Sequence, residues 1–159
     1  TCHMAVEFER PGDILPAFIE AGIRVPKVQV SSALDVRMPD GHEALRAFAE
    51  DTYLHQVVSR GDGLQRYVDL PDALSDDASR REAEWRVHFH VPLFLEELGP
   101  LRTTQPFVRA FLAELQRHPV CDHLEVETYT WDVLPAEHRR VDVATAIARE
   151  LTWVRDQLA

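Results

Sequence analysis

The stretch Trp85-Arg86-Val87-His88-Phe89-His90-Val91 decides the reading of the fold. Trp85, Val87, Phe89 and Val91 alternate with Arg86, His88 and His90. A period of two sends the first set to one face of a β-strand and the second to the other, so one face is dry and one polar. Two other stretches alternate in the same way: Lys27-Val28-Gln29-Val30-Ser31-Ser32-Ala33 and Leu124-Glu125-Val126-Glu127-Thr128-Tyr129-Thr130-Trp131.

Helical patterns fall between and after these strands. Residues 13–21 place Ile14, Phe18 and Ile19 on one side, and Gly22 provides a stop. A shorter pattern spans 41–50. Thr104 suits an N-cap, Pro106 suits a first turn, and Phe107, Val108, Phe111, Leu112 and Leu115 form an apolar stripe. The last pattern runs over 139–157, with Val143, Ile147, Leu151, Val154 and Leu158 as its buried side. Residues 53–58 and 64–68 flank Gly61-Asp62-Gly63 and read as a β-hairpin inserted in a loop. The acidic segment 72–84 reads as a solvated helix.

Strand, helix, strand, helix, strand, helix is an order that calls for a parallel sheet with right-handed crossovers. Polar residues recur along one face of each strand: Gln29 and Ser31, His88 and His90, Glu125 and Glu127. Such faces suit the mouth of a barrel, where catalytic groups come from the ends of several strands. The expected fold is therefore α/β: the C-terminal half of a (β/α)8 TIM barrel, with parallel strands, outer helices and the inserted hairpin. A whole barrel needs about 250 residues. Residues 1–159 are then a single partial barrel domain whose N-terminal half is missing.

Composition narrows the partners. The formal net charge is −10, with 17 basic and 27 acidic side chains. Binding to nucleic acid relies on clustered Lys and Arg that displace counterions from phosphates, and pairs such as Arg139-Arg140 are diluted by acids. No apolar run approaches the roughly 20 residues that cross a bilayer. Cys2 and Cys121 do not make a disulfide framework, so a reducing cytoplasm is the expected compartment. Half a barrel would expose strand edges and an apolar face, which favours association into a homo-oligomer.

His88 and His90 share a strand face, as do Glu125 and Glu127. If the two strands are neighbours, imidazole and carboxylate converge. His90, Glu127 and Glu125 are the candidate metal ligands, and mixed nitrogen and oxygen donors suit Mn, Mg, Zn or Co. The alternative is that one histidine of the pair only hydrogen-bonds inside the fold. Ser31 is a candidate for binding substrate hydroxyls, with a cap or turn role as its alternative. His55, on the hairpin, is expected at the surface or on a lid. Tyr129 and Trp131 are read as packing residues, with a wall for a sugar ring as the alternative.

Thr1-Cys2-His3-Met4 resembles the Asp-Thr-x-His-Met motif of the xylose isomerase-like barrel superfamily, which includes sugar isomerases and epimerases and type IV apurinic endonucleases. The motif's Asp would precede Thr1 and is absent. Glu127-Thr128 is similar to the family's final-strand Glu, and His88-Phe89-His90 to its penultimate His-x-His. Four runs, at 27–34, 53–58, 88–94 and 124–131, resemble the EboE-type metabolite traffic proteins of that superfamily. The resemblance implies a catalytic Glu127 that ligates metal and moves a proton. It also implies a catalytic His3 that positions a substrate oxygen, with His88 and Gln29 binding substrate beside it; Gln29 stands where many relatives have a strand histidine.

The expected function is that of a metal-dependent sugar or sugar-phosphate isomerase or epimerase, inactive as a fragment. A non-enzymatic protein that binds and hands over a small metabolite or prenylated precursor is the alternative. A phosphodiesterase related to the apurinic endonucleases is disfavoured by the negative charge.

Overall fold

A computed structural model describes the backbone of all 159 residues and the side chains of all but Ala78 and Arg80. The chain runs α1 (Cys2–Val6), α2 (Pro11–Glu20), β1 (Val28–Val30), β2 (Ser32–Met38), α3 (His42–Leu45), β3 (Val57–Arg60), β4 (Leu64–Tyr67) and α4 (Leu70–Ser75). It continues with β5 (Ala83–Val91), β6 (Glu97–Leu98), β7 (Leu101–Thr103), α5 (Gln105–Arg117), β8 (Leu124–Val126) and α6 (Val143–Gln157).

The expected half of a parallel (β/α)8 TIM barrel is not what forms. Six strands make one antiparallel sheet in the order β4-β3-β5-β2-β7-β6. Only β1 and β8 run parallel, as a separate pair with Gln29 opposite Glu125. No barrel closes. The connections explain why. A parallel crossover takes about a dozen residues or more, usually with a helix, whereas an antiparallel return needs only a short loop. Residues 61–63 are the whole link from β3 to β4, and residues 99–100 are the whole link from β6 to β7, each joining antiparallel neighbours. The stretch 27–33 is not one strand either. It breaks at Ser31, with β1 joining β8 on one side and β2 joining β5 on the other.

The hairpin expected at 53–58 and 64–68 does pair, Val57 with Tyr67 and Arg60 with Leu64. It forms the edge of the main sheet through β3 against β5, not an insert in a loop. The segment 72–84, expected as a helix, holds only the end of α4 and a short 3-10 turn before β5 begins; the side chains of Ala78 and Arg80 lie outside the described residues.

Alternation along β5 separates two faces, as the sequence predicts. Trp85, Val87, Phe89 and Val91 enter the main core with Leu34, Val36 and Met38 of β2. Burying each such side chain stabilises the fold by roughly 1.5–3 kcal/mol. The opposite face carries Arg86, His88 and His90 and is covered by α1, whose Cys2 and Val6 pack on Ala33 and Val58. A second core joins α2, α5 and α6 to β1.

Helix α1 has five residues, too few to persist alone. The sheet holds it. Arg86 Nη1 donates to Ala5 O at 2.6 Å, and the guanidinium groups of Arg60 and Arg86 lie 4.1 and 4.2 Å from the centre of the Phe8 ring. Such cation–aromatic contacts are attractive.

Asp69 caps α4, accepting from Leu70 N–H at 2.8 Å, and also accepts from His55 N–H at 2.9 Å. Asp69→Ala should cost about 1 kcal/mol or somewhat more, as lost caps do. Urea unfolding measures it, and an unchanged midpoint would refute the role.

Candidate metal centre

His88 and His90 sit where β5 breaks register with β2. Ser32 faces Val91 and Leu34 faces Val87, so residues 88–90 of β5 have only Ala33 opposite them. Bulges of this kind re-aim side chains. They also leave backbone carbonyls for other partners. His55 Nδ1 lies 3.1 Å from His88 O, and Thr130 Oγ1 donates to His90 O at 2.6 Å.

The two imidazoles face each other, Nε2 to Nε2, at 3.0 Å. His90 Nδ1–H donates to Glu127 O at 3.1 Å, because a carbonyl can only accept. A neutral His90 then presents its Nε2 lone pair to His88. Burial, and after it the neighbouring His3 and His55, push the pKa of His88 down to about 4; burial, then His88, push that of His90 down to about 3. Both rings are therefore neutral at pH 7, the form that ligates metal.

Cys2 Sγ completes the cluster. One ligand atom from each of Cys2, His88 and His90 lies within 4.8 Å of the others, and all three residues are buried. Two nitrogens bound tetrahedrally to zinc lie about 3.3 Å apart, from bond lengths of about 2.0–2.1 Å. The observed spacing is near that value. Burial pushes the Cys2 thiol pKa up, so the thiol stays protonated until a cation replaces its proton. One thiol and two imidazoles fit zinc or cobalt, and they do not fit magnesium, which prefers oxygen.

The rim holds the other candidates. The exposed His3 ring meets His88 edge-on, with centroids 4.0 Å apart. Glu127 Oε2 lies 3.9 Å from His90 Nδ1 and accepts from Ser31 Oγ at 3.4 Å. Tyr129 meets His90 at 4.4 Å and Tyr53 at 5.0 Å. Its hydroxyl pKa is pushed up to about 12, by burial first and then by Cys2 and Glu127. Trp131 packs against the main core.

The structure brings His3, Ser31, His88, His90 and Glu127 together. It leaves two others apart. Glu125 accepts from Lys27 Nζ at 2.7 Å and contacts His123 Nε2 at 3.1 Å on an exposed edge. Gln29 is exposed in register beside it, with its backbone O 2.6 Å from Thr1 N. His55 is not on the surface. It is fully buried, with Nδ1 3.1 Å from His88 O and Nε2 2.6 Å from Glu50 Oε1. Burial opposes ionisation of Glu50, but hydrogen bonds from Thr52, His55 and Tyr53 hold its pKa below the ordinary value.

Sequence reasoning missed Cys2, Thr130 and Glu50. Cys2 carried a signal, since it adjoins His3 in the motif, but its approach to His88 depends on how α1 docks. Comparison with known proteins finds no matching family model, no matching curated protein and no matching solved structure. Among the described residues no helix is long and apolar enough to cross a membrane.

Proposed function

We propose that this chain binds a zinc-class divalent ion between Cys2, His88 and His90. We propose further that it acts there on a small hydroxylated carbonyl compound, removing the proton beside the carbonyl and returning it to the neighbouring carbon, as sugar isomerases do, or to the other face of the same carbon, as epimerases do. The observation that carries the reading is the face-to-face pair of Nε2 atoms with a buried thiol beside them and a half-buried carboxylate at the rim. A bound divalent ion polarises a substrate carbonyl and acidifies the adjacent C–H.

The remaining work falls to the chain. Glu127 is the candidate base: it lies at the rim, and Ser31 hydrogen-bonds its carboxylate. His3 stands on the exposed side of His88, where it can hold a substrate oxygen. Tyr53 and Tyr129 offer a half-exposed aromatic wall for the apolar face of a ring. The Glu127 main chain fixes the His90 tautomer through its carbonyl, as partners of ligating histidines commonly do.

Metal analysis of the purified protein, with proton exchange of candidate ketoses and aldoses in D₂O, tests this. Glu127→Gln should keep the metal and lower exchange at least about 100-fold, the usual contribution of a positioned base. A metal-free protein, or exchange unchanged by Glu127→Gln, would sink the reading.

A further inference from the structure

Glu150 places a carboxylate on the buried side of α6, where it is 2% exposed. Its Oε1 accepts from Leu93 N–H at 3.0 Å and its Oε2 from Thr128 Oγ1–H at 2.7 Å. Leu93 follows the end of β5, and Thr128 follows Glu127. Two further bonds close a ring: Thr130 Oγ1 donates to His90 O at 2.6 Å, and His90 Nδ1–H donates to Glu127 O at 3.1 Å. Among the described residues no cation forms an ion pair with Glu150. A buried carboxylate without a cation is costly, and an apolar side chain would fill the same helix face at less cost. What a carboxylate adds is two acceptors on one rigid group, each taken by a different strand exit.

We infer that Glu150 is a positioning residue for this site, tying the exit of β5 to the exit of β8 and so setting Glu127 against His90. The inference rests on the metal reading proposed above. It does not make Glu150 a ligand or a catalytic group. Without it, among the described residues the turn from Glu127 to Thr130 keeps only the His90 and Thr130 hydrogen bonds and the Tyr129 ring contact to β5, and the His90 ring can follow that turn.

Cobalt(II) titration of the full chain, read by visible absorption, tests the role. The wild-type protein should bind one cobalt with the intense bands of a four-coordinate site. Glu150→Ala should weaken binding about 10–100-fold, as lost supporting partners do, and alter the band shape. Glu150→Gln keeps one acceptor for Leu93 N–H and can donate to Thr128 Oγ1, so it should return affinity to within about threefold of wild type. Thr128→Ala removes only the β8 side of the tie and carries the test if Glu150→Ala does not fold; it should shift the bands in the same direction. If the wild type binds cobalt and Thr128→Ala or folded Glu150→Ala leaves spectrum and affinity unchanged, the positioning role is overturned. If Glu150→Gln behaves like Glu150→Ala, it is overturned too. If the wild type binds no cobalt, the metal reading itself falls and takes this role with it.

Discussion

His90→Ala is expected to abolish stoichiometric binding of zinc or cobalt, weakening it by more than about 100-fold. The loss should exceed the 10–100-fold that follows removal of a mere supporting partner, because His90 does two jobs. Its Nε2 is one of three donors in the cluster. Its Nδ1–H fixes the Glu127 main chain at 3.1 Å. His88→Ala should reduce affinity by a similar factor but leave the Glu127 carbonyl bonded. Cys2→Ser should keep weaker binding and lose the thiolate-to-cobalt absorption, which separates a thiol-containing centre from one built of His90 and Glu127 alone. Competition titration against a chromophoric chelator measures all three. Wild-type affinity in His90→Ala would remove the metal centre from consideration, whatever activity the protein shows.

How much of this could be read from the sequence depends on what each pattern encodes. Alternation in 85–91 encodes faces, and the two faces of β5 are as read. Alternation has no direction, so it cannot tell a parallel neighbour from an antiparallel one. The two-residue link at 99–100, between the antiparallel neighbours β6 and β7, is too short for a parallel crossover. Glu125 and Glu127 illustrate a second limit. Period-two pairing holds only while the strand lasts, and β8 ends at Val126. Glu127 lies past the end and turns toward His90, whereas Glu125 stays with Lys27.

Helix α6 shows a third. Its apolar stripe reads as Val143, Ile147, Leu151, Val154 and Leu158; Val154 is buried and Leu158 packs on the second core, but the other buried positions are Ala146 and Glu150. The helix is rotated so that Val143 and Leu151 are exposed and a carboxylate reaches the interior. Hydrophobicity alone could not favour that rotation; two hydrogen bonds to Glu150 do. His55 belongs with it. A histidine on a hairpin reads as exposed, but nearby Glu50 and the distant His88 O meet its ring, and Asp69 accepts from its main-chain N–H. Polar burial of this kind is legible only once the contacts exist.

Phe89→Ala should be the most damaging single change to stability, costing about 3–5 kcal/mol as large-to-small aromatic core substitutions do. Phe89 is fully buried and meets Phe48 edge-on at 5.1 Å and His55 at 4.6 Å. Truncation leaves a cavity under the strand segment that carries His88 and His90. That segment lies in the register break, so it has fewer strand partners to resist collapse into the space. The consequence reaches the other face: with the packing side emptied, the 3.0 Å spacing of the two Nε2 atoms should no longer be held. Phe89→Leu keeps much of the volume and should cost less than about 1.5 kcal/mol. Chemical denaturation and cobalt titration of both variants separate the two effects. If Phe89→Ala folds with wild-type stability, the core assignment of β5 is wrong. If it is destabilised as expected yet binds cobalt like the wild type, the imidazole pair is held by His55, Thr130 and Glu127 rather than by the packing beneath it.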